Sequence, residues 1–396
     1  MSDMTLREHY RAVMHFEPGV RTLLWEFGYW TTTLEAWYLQ GLPRSPNSLP
    51  AGLAAGDSVF AEALPYPTDQ PGVVRYRDFD VHKQLGFDEG TARVPLNWRL
   101  SPSFQEVVLE EDETTRVMYN HDGVKLQARK DKGSPPLYLE WPIRDRASWE
   151  KLKEERFGAD IMSRFPERWE AVSASYGERD FPLGLVTDGL FSSPRELMGF
   201  EGLLMMYYDD PQLMHDINNH LTTTWLAMYE EVVSKVEIDF VYIWEDMSYK
   251  NGPMLSPKMF DEFFVPYYQR LTGFLRAHGV DVIFVDTDGD FRQLIPGFLQ
   301  GGVSGIYPVE VQAEVDVIEL RKQYPQLLLQ GGLDKMKLTQ GQEAIDAELE
   351  AKLPHTLSRG GYIPYIDHHV PPDVPWDAFR YYREKLRQYV EKYQPG

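Results

Sequence analysis

Three carboxylates and a histidine stand at the ends of apolar runs in the second half of this chain. The segment 280–290, VDVIFVDTDGD, is an apolar stretch that stops at Asp286, Asp288 and Asp290. Val282, Ile283, Phe284 and Val285 read as a strand buried on both faces. Acids at the C-terminal end of such a strand point to where parallel α/β folds do their chemistry. Asp286 and Asp288 are two positions apart, so an extended chain puts both on one side. Like charges on one side repel unless a cation, a proton or a basic partner sits between them. Glu310 and His368 end two later runs, at 303–309 and 361–366. Together the four form a coherent ligand set for a divalent metal, zinc or another transition metal. A metal there would lower the pKa of a substrate thiol or hydroxyl, or polarise a carbonyl. The alternative is that these acids cap helices or pair with Lys and Arg, since Asp is a common N-cap.

Other strand ends carry chemistry of their own. Glu245 and Asp246 follow the run 238–244 and are candidates for general acid–base work, or for a cap or a pair with Lys250. Asp188 follows 182–186 and is a candidate substrate contact. Asp334 and Lys335 follow 326–333, where Lys335 could hold an anionic substrate group. Trp25, Glu26, Tyr29 and Trp30 close the first apolar run, 23–27, and either line a pocket for a planar ligand or pack in a core.

These residues need a scaffold that brings strand ends together. From 238 onward the chain alternates five apolar runs with helical patterns. Ser256-Pro257 opens a helix expected to reach about His278, with Gly279 as its stop. No glycine-rich dinucleotide loop follows the first strand, which disfavours an open sheet. The expected fold is a (β/α)8 barrel with an N-terminal helical lead-in, its second strand somewhere in 48–84. The region 88–149 breaks the rhythm. It alternates around Asp122-Gly123, a hairpin signal, and reads as an antiparallel β insertion within one domain spanning 1–396.

The chain has 396 residues and a formal net charge of -21, with 61 Asp+Glu against 40 Lys+Arg. That balance argues against nucleic acid and anionic membrane as partners. There are no cysteines, hence no disulfides and no thiolate ligands. No stretch reaches the roughly 20 apolar residues of a membrane span, and the N-terminus lacks a signal-peptide core. The expectation is a cytoplasmic enzyme acting on a small molecule.

The segment 244–268 carries Leu255-Ser256-Pro257, a Phe-rich helix through Phe264, and Pro266-Tyr267. With 331–338, GGLDKMKL, and the turn His368-His369-Val370-Pro371-Pro372, it resembles the uroporphyrinogen decarboxylase superfamily, a family of (β/α)8 barrels. One branch decarboxylates a polycarboxylated macrocycle using Arg residues near the first strand and an Asp on the second. The run from Trp25 to Pro43 lacks that branch's Arg-Gln-x-Gly-Arg segment. Arg195, Arg292 and Lys335 are the cations legible near the strand ends. The other branch resembles methylcobamide:coenzyme M methyltransferase. Its zinc motif lies over Asp286-Thr287-Asp288, Glu310 and His368, with oxygen or nitrogen donors in place of every thiolate. This branch implies a metal-dependent methyltransferase with a corrinoid protein as candidate partner; the other implies a carboxy-lyase. A third reading is a barrel that binds a ligand without catalysis.

Overall fold

Seven short strands lie parallel and in sequence order: Ala92–Arg93, Leu183–Asp188, Phe240–Trp244, Ile283–Asp286, Gly305–Val309, Leu328–Gly331 and Tyr362–Ile363. They belong to a computed structural model that describes residues 4–45, 58–60, 80–130, 135–158 and 160–396. Helices intervene between successive strands and pack on the outer face, as in a (β/α)8 barrel.

Register turns the two-residue period into layers. Leu185 pairs with Val241, Asp188 with Trp244, and Asp286 with both Trp244 and Tyr307. Side chains alternate along each strand, so even-numbered residues from Phe240 to Trp244 share the interior with Phe284 and Asp286. The lower interior is aromatic: Phe240, Tyr242, Phe284, Tyr307 and Tyr365 form one buried cluster with Trp25 and Phe27. Gly184 and Gly305 make room for it, because a Cβ there would lie 2.1 Å from the Phe240 ring and 2.4 Å from the Phe284 ring. Odd-numbered Val241, Ile243 and Val285 point outward into a second core shared with the helices.

The N-terminal helix Leu6–Met14 closes the bottom. Thr5 and Glu8 form a capping box at its start. Its Tyr10 stacks on Trp25 at 5.7 Å and meets Phe240 at 5.5 Å.

The first apolar run closes the barrel without a regular ladder. Thr22 donates its hydroxyl to the Tyr362 carbonyl, and Val370 N–H donates to Gly28 O at 3.0 Å. Glu26 accepts the Ile366 N–H at 3.2 Å, and Arg383 from the last helix donates to the carbonyls of Trp25 and Leu24 at 2.7 and 3.1 Å. On the other side Asp88 accepts the Leu24 N–H at 2.8 Å.

The second barrel strand is Ala92–Arg93, not a segment of 48–84. Two residues between a Gly-Thr and a Val-Pro show no alternation to read. Within the expected range, Ser58–Phe60 pairs antiparallel with Gly28–Trp30, and its flanks lie outside the described residues. The helix expected to run unbroken from Pro257 to His278 splits at Phe264 into Pro257–Phe263 and Val265–Ala277. Pro266 lacks the N–H that a continuous helix needs. The antiparallel insertion forms a four-stranded meander, Val107–Glu111, Thr115–Tyr119, Lys125–Arg129 and Leu137–Glu140. Its central turn uses Gly123 at φ 77°. Among the described residues no helix is long and apolar enough to cross a membrane.

Glu26 and Arg383 pair at 3.4 Å with side chains 0% and 3% exposed. Breaking a buried pair strands the remaining charge. Arg383→Met should lower unfolding stability by about 3 kcal/mol, read by urea denaturation; a loss under about 1 kcal/mol would mean the seam does not rest on this pair.

Candidate active site

The upper interior row continues past the strands. Asp188, Asp246, Asp286 and Asp288 have the inward parity at the C-terminal mouth, where Asp246, Asp286 and Asp288 act on one another. Asp246 accepts from the Asp288 backbone N–H and from the Trp244 indole, and lies 3.7 Å from Arg195. Arg195 also donates to the Asp246 carbonyl at 2.7 Å. Asp286 accepts from Tyr307, with Arg93 as the cation that acts on it. Arg93 lies over the Tyr242 ring at 5.4 Å. Glu310 accepts the Gly289 N–H at 2.8 Å, which holds the loop carrying Asp288.

Carboxylates outnumber cations here. Burial, then Asp246 and Asp288, pushes the Asp286 carboxyl well above the carboxylate range. Burial, then Asp246 and Glu310, pushes Asp288 up to about 7, with Lys335 opposing. Burial also raises Asp246 and Asp188, each partly offset by an arginine. The mouth therefore favours the neutral, protonated form of its carboxyl groups.

Histidine supplies the neutral partner. His368 Nε2 lies 3.7 Å from Asp288 Oδ2. Burial, with Lys335 nearby, pushes His368 down to about 4, and burial with His368 pushes His369 down to about 3. The two Nδ1 atoms are 3.2 Å apart, so one ring donates to the other. Phe27 and Trp30 pack on this pair, with Trp30 stacked on His369 at 4.4 Å. Lys335 approaches Asp367 at 3.5 Å, and Asp367 also accepts the backbone N–H groups of Val311 and Lys335.

Some residues expected at the mouth lie elsewhere, and parity explains most of them. Glu245 is one position past Trp244 and points outward. It is fully buried, accepting N–H groups from Leu190, Phe191 and Ser192 and the Tyr268 hydroxyl at 2.6 Å. Burial raises it to about 7, but its oxygens brace the loop after Asp188. Glu26 also points outward, to Arg383 and Tyr382. Trp25 is an interior residue at the bottom, stacked on Tyr10, and donates to Glu89 O. Tyr29 packs between Trp37 and Phe379 in the outer core. Asp334 caps the turn Lys335–Thr339 through Met336 N–H and takes Gln312. Arg292 pairs with Asp290 on the surface.

Arg93, Arg99, Asp367 and Phe27 are site residues the pattern did not single out. Phe27 was within reach, since it alternates with Trp25. Arg93 sits on a two-residue strand and Arg99 in a loop after it, where no periodicity points.

The proposed metal set is partly assembled. Asp288 and His368 approach each other, whereas Asp286 is engaged by Tyr307 and Glu310 by Gly289. Among the described residues no three His, Asp or Glu side chains stand together in a metal-holding group. The set offers oxygen and nitrogen donors and lacks the soft ligands of a thiolate site.

Asp246→Asn should bring the Asp288 titration down from about 7, and Lys335→Met should move it up. Carbon-13 carboxyl NMR on Asp-labelled protein reads both. Movement of the two variants in the same direction would contradict the charge assignment.

Comparison with known proteins gives a consistent frame. A family model described as uroporphyrinogen decarboxylase (URO-D) matches residues 116–389. The uroporphyrinogen decarboxylase of Citrifermentans bemidjiense is 27% identical over 245 residues, 59% of this chain and 67% of that protein. That of Campylobacter fetus subsp. fetus is 25% identical over 273 residues, 66% of this chain and 74% of that protein. Among solved structures, a methyltransferase from Methanosarcina mazei aligns with a TM-score of 0.58 and 14% identity, covering 97% of this chain and 100% of that chain. At that identity the likeness is one of fold.

Proposed function

The chain belongs to the uroporphyrinogen decarboxylase family, and from that premise we propose that its mouth transfers protons to and from a small carboxylic acid, as a carboxy-lyase. One observation carries this reading: burial, reinforced by neighbouring carboxylates, holds the Asp286 and Asp288 carboxyls above the usual carboxylate range, Asp288 up to about 7. Loss of CO2 leaves the bonding electron pair on carbon, and that carbanion needs a proton. A carboxylic acid with a pKa near 7 is matched to that donation. Asp288 gives its proton to carbon and becomes a carboxylate, which solvent reprotonates. Lys335 and Arg93 are the cations beside the two acids, suited to the substrate carboxylate. Neutral His368 beside Asp288 orients the acid without adding a charge.

The charge count bounds the substrate. Arg99 and Arg195 are already paired to Asp188 and Asp246. Lys335 is likewise engaged by Asp367, and a mouth in which acids outnumber cations suits one or two substrate carboxylates rather than a macrocycle bearing many. The substrate class proposed is thus a small mono- or dicarboxylic acid.

Release of CO2 from a panel of such acids tests this. Asp288→Asn should lower kcat by roughly 10²–10⁴-fold, the span of a general acid. With the acid form active, kcat should fall as pH rises through about 7. A rate that rises with pH through that range, or an unchanged kcat in Asp288→Asn, would exclude Asp288 as the acid.

A second reading, methyl transfer with a divalent metal or a corrinoid protein partner, is favoured by the approach of His368 to Asp288 at 3.7 Å. It requires Asp286 and Glu310 to leave Tyr307 and Gly289 to complete a ligand set. Stoichiometric metal in purified protein, lost in both Asp288→Ala and His368→Ala, would favour it over proton transfer. Metal-free protein after exposure to zinc, iron, cobalt and nickel would remove it.

A further inference from the structure

Arg99, in the loop before the antiparallel insertion, links that insertion to the mouth. Arg99 Nε lies 2.7 Å from Asp188 Oδ2 at the strand end, and its Nη1 lies 3.4 Å from Asp122 Oδ2 in the central turn of the insertion. The same guanidinium sits over the Trp244 ring at 5.9 Å. Asp122 and Asp188 are both well covered, with side chains 8% and 16% exposed.

The loop that presents Arg99 is itself fixed. Arg164 is buried, and its guanidinium donates to the carbonyls of Arg99, Asn97 and Arg156. Asn97 N–H returns a bond to Arg164 O at 2.9 Å. On the far side, Phe104 N–H donates to His121 O at 2.9 Å, and the Phe104 ring lies under Gly123. Arg99 therefore has little freedom to move away, but its fork can divide its strength between two carboxylates.

We infer that Arg99 is a positioning residue that couples the insertion to the mouth, sharing one cation between Asp188 and Asp122. A shared cation makes the two pairs compete. Whatever neutralises Asp188, a ligand group included, frees Arg99 to hold Asp122 more tightly and draws the turn down over the mouth. Coupling of this kind is reciprocal, so the position of the turn also sets how strongly Asp188 is held as an anion. The consequence for catalysis rests on the acid–base reading above; the latch itself rests on the ion pairs.

Hydrogen–deuterium exchange of the intact protein, read by mass spectrometry on peptides covering 115–129, tests the latch without any substrate. Arg99→Gln should speed exchange in the turn 120–124 about fivefold, the scale of a partly exposed ion pair. Asp188→Asn should slow it, and Arg99→Lys should restore part of the protection. Opposite signs for Arg99→Gln and Asp188→Asn distinguish sharing from ordinary structural support, which would loosen the turn in both. Peptides over Phe240–Trp244 report whether the barrel stays intact. Should Arg99→Gln fail to fold, Asp188→Asn is compared in the wild-type and Asp122→Asn backgrounds. Slowing in the first and no change in the second supports sharing; the same change in both overturns it. An unchanged turn in a folded Arg99→Gln also overturns it. Loss of the proton-transfer reading would leave these exchange results standing, and the reverse holds.

Discussion

The barrel depends on a seam closed by side chains. A rolled parallel sheet brings strand ends to one mouth only if its first and last strands meet. Here the first run bonds to Tyr362, Ile366 and Val370 through one hydroxyl, one carboxylate and one carbonyl, while Arg383 anchors it from outside. Glu26 is central to this arrangement. It satisfies a backbone N–H that a ladder would otherwise satisfy, and it balances Arg383 in a space that excludes water. Asp286 at a strand end and His368 in the loop after the last strand lie well apart in the sequence, and closure is what places them across one cavity.

Within the closed barrel, residue parity decides what does chemistry. Trp244, Asp246, Asp286 and Asp288 face inward; Glu245 and Glu26, one step out of phase, face the helices. Both glutamates remain buried with perturbed protons, so perturbation alone does not mark a functional group. The outward pair is held by backbone N–H groups together with tyrosine hydroxyls and, for Glu26, Arg383. The inward acids sit beside one another.

Much of this was legible in the residues. The runs at 280–285, 303–309 and 326–333 are long enough for their burial to show, and the acids after them follow from strand length. The inward parity of Asp286 and Asp288 is readable from Phe284, and the same arithmetic would have turned Glu245 and Glu26 outward. Arg93 and Arg99 were not readable. Arg93 sits on a strand two residues long and Arg99 in the loop after it, and their importance comes from Tyr242 and Asp188, which lie far along the chain. The seam was equally hidden, because it replaces a ladder with side-chain bonds that no periodicity announces. The Leu255-Ser256-Pro257 resemblance led to the right family through a helix that only supports the site.

The aromatic floor beneath the mouth has a consequence for where protons travel. Below Asp286 lie Tyr307, Tyr242 and Phe284, then Phe240, Trp25 and Tyr10 at the base. The hydroxyls of Tyr242 and Tyr365 end on Gln330, and beneath them the fill is chiefly aromatic rings. On the proton-transfer reading proposed above, a proton that replenishes the acids travels by the same opening that the substrate uses. While that opening is filled, the cavity works with the protons it already holds. A turnover begun in heavy water and finished in light water would carry the isotope of the solvent in which the substrate docked.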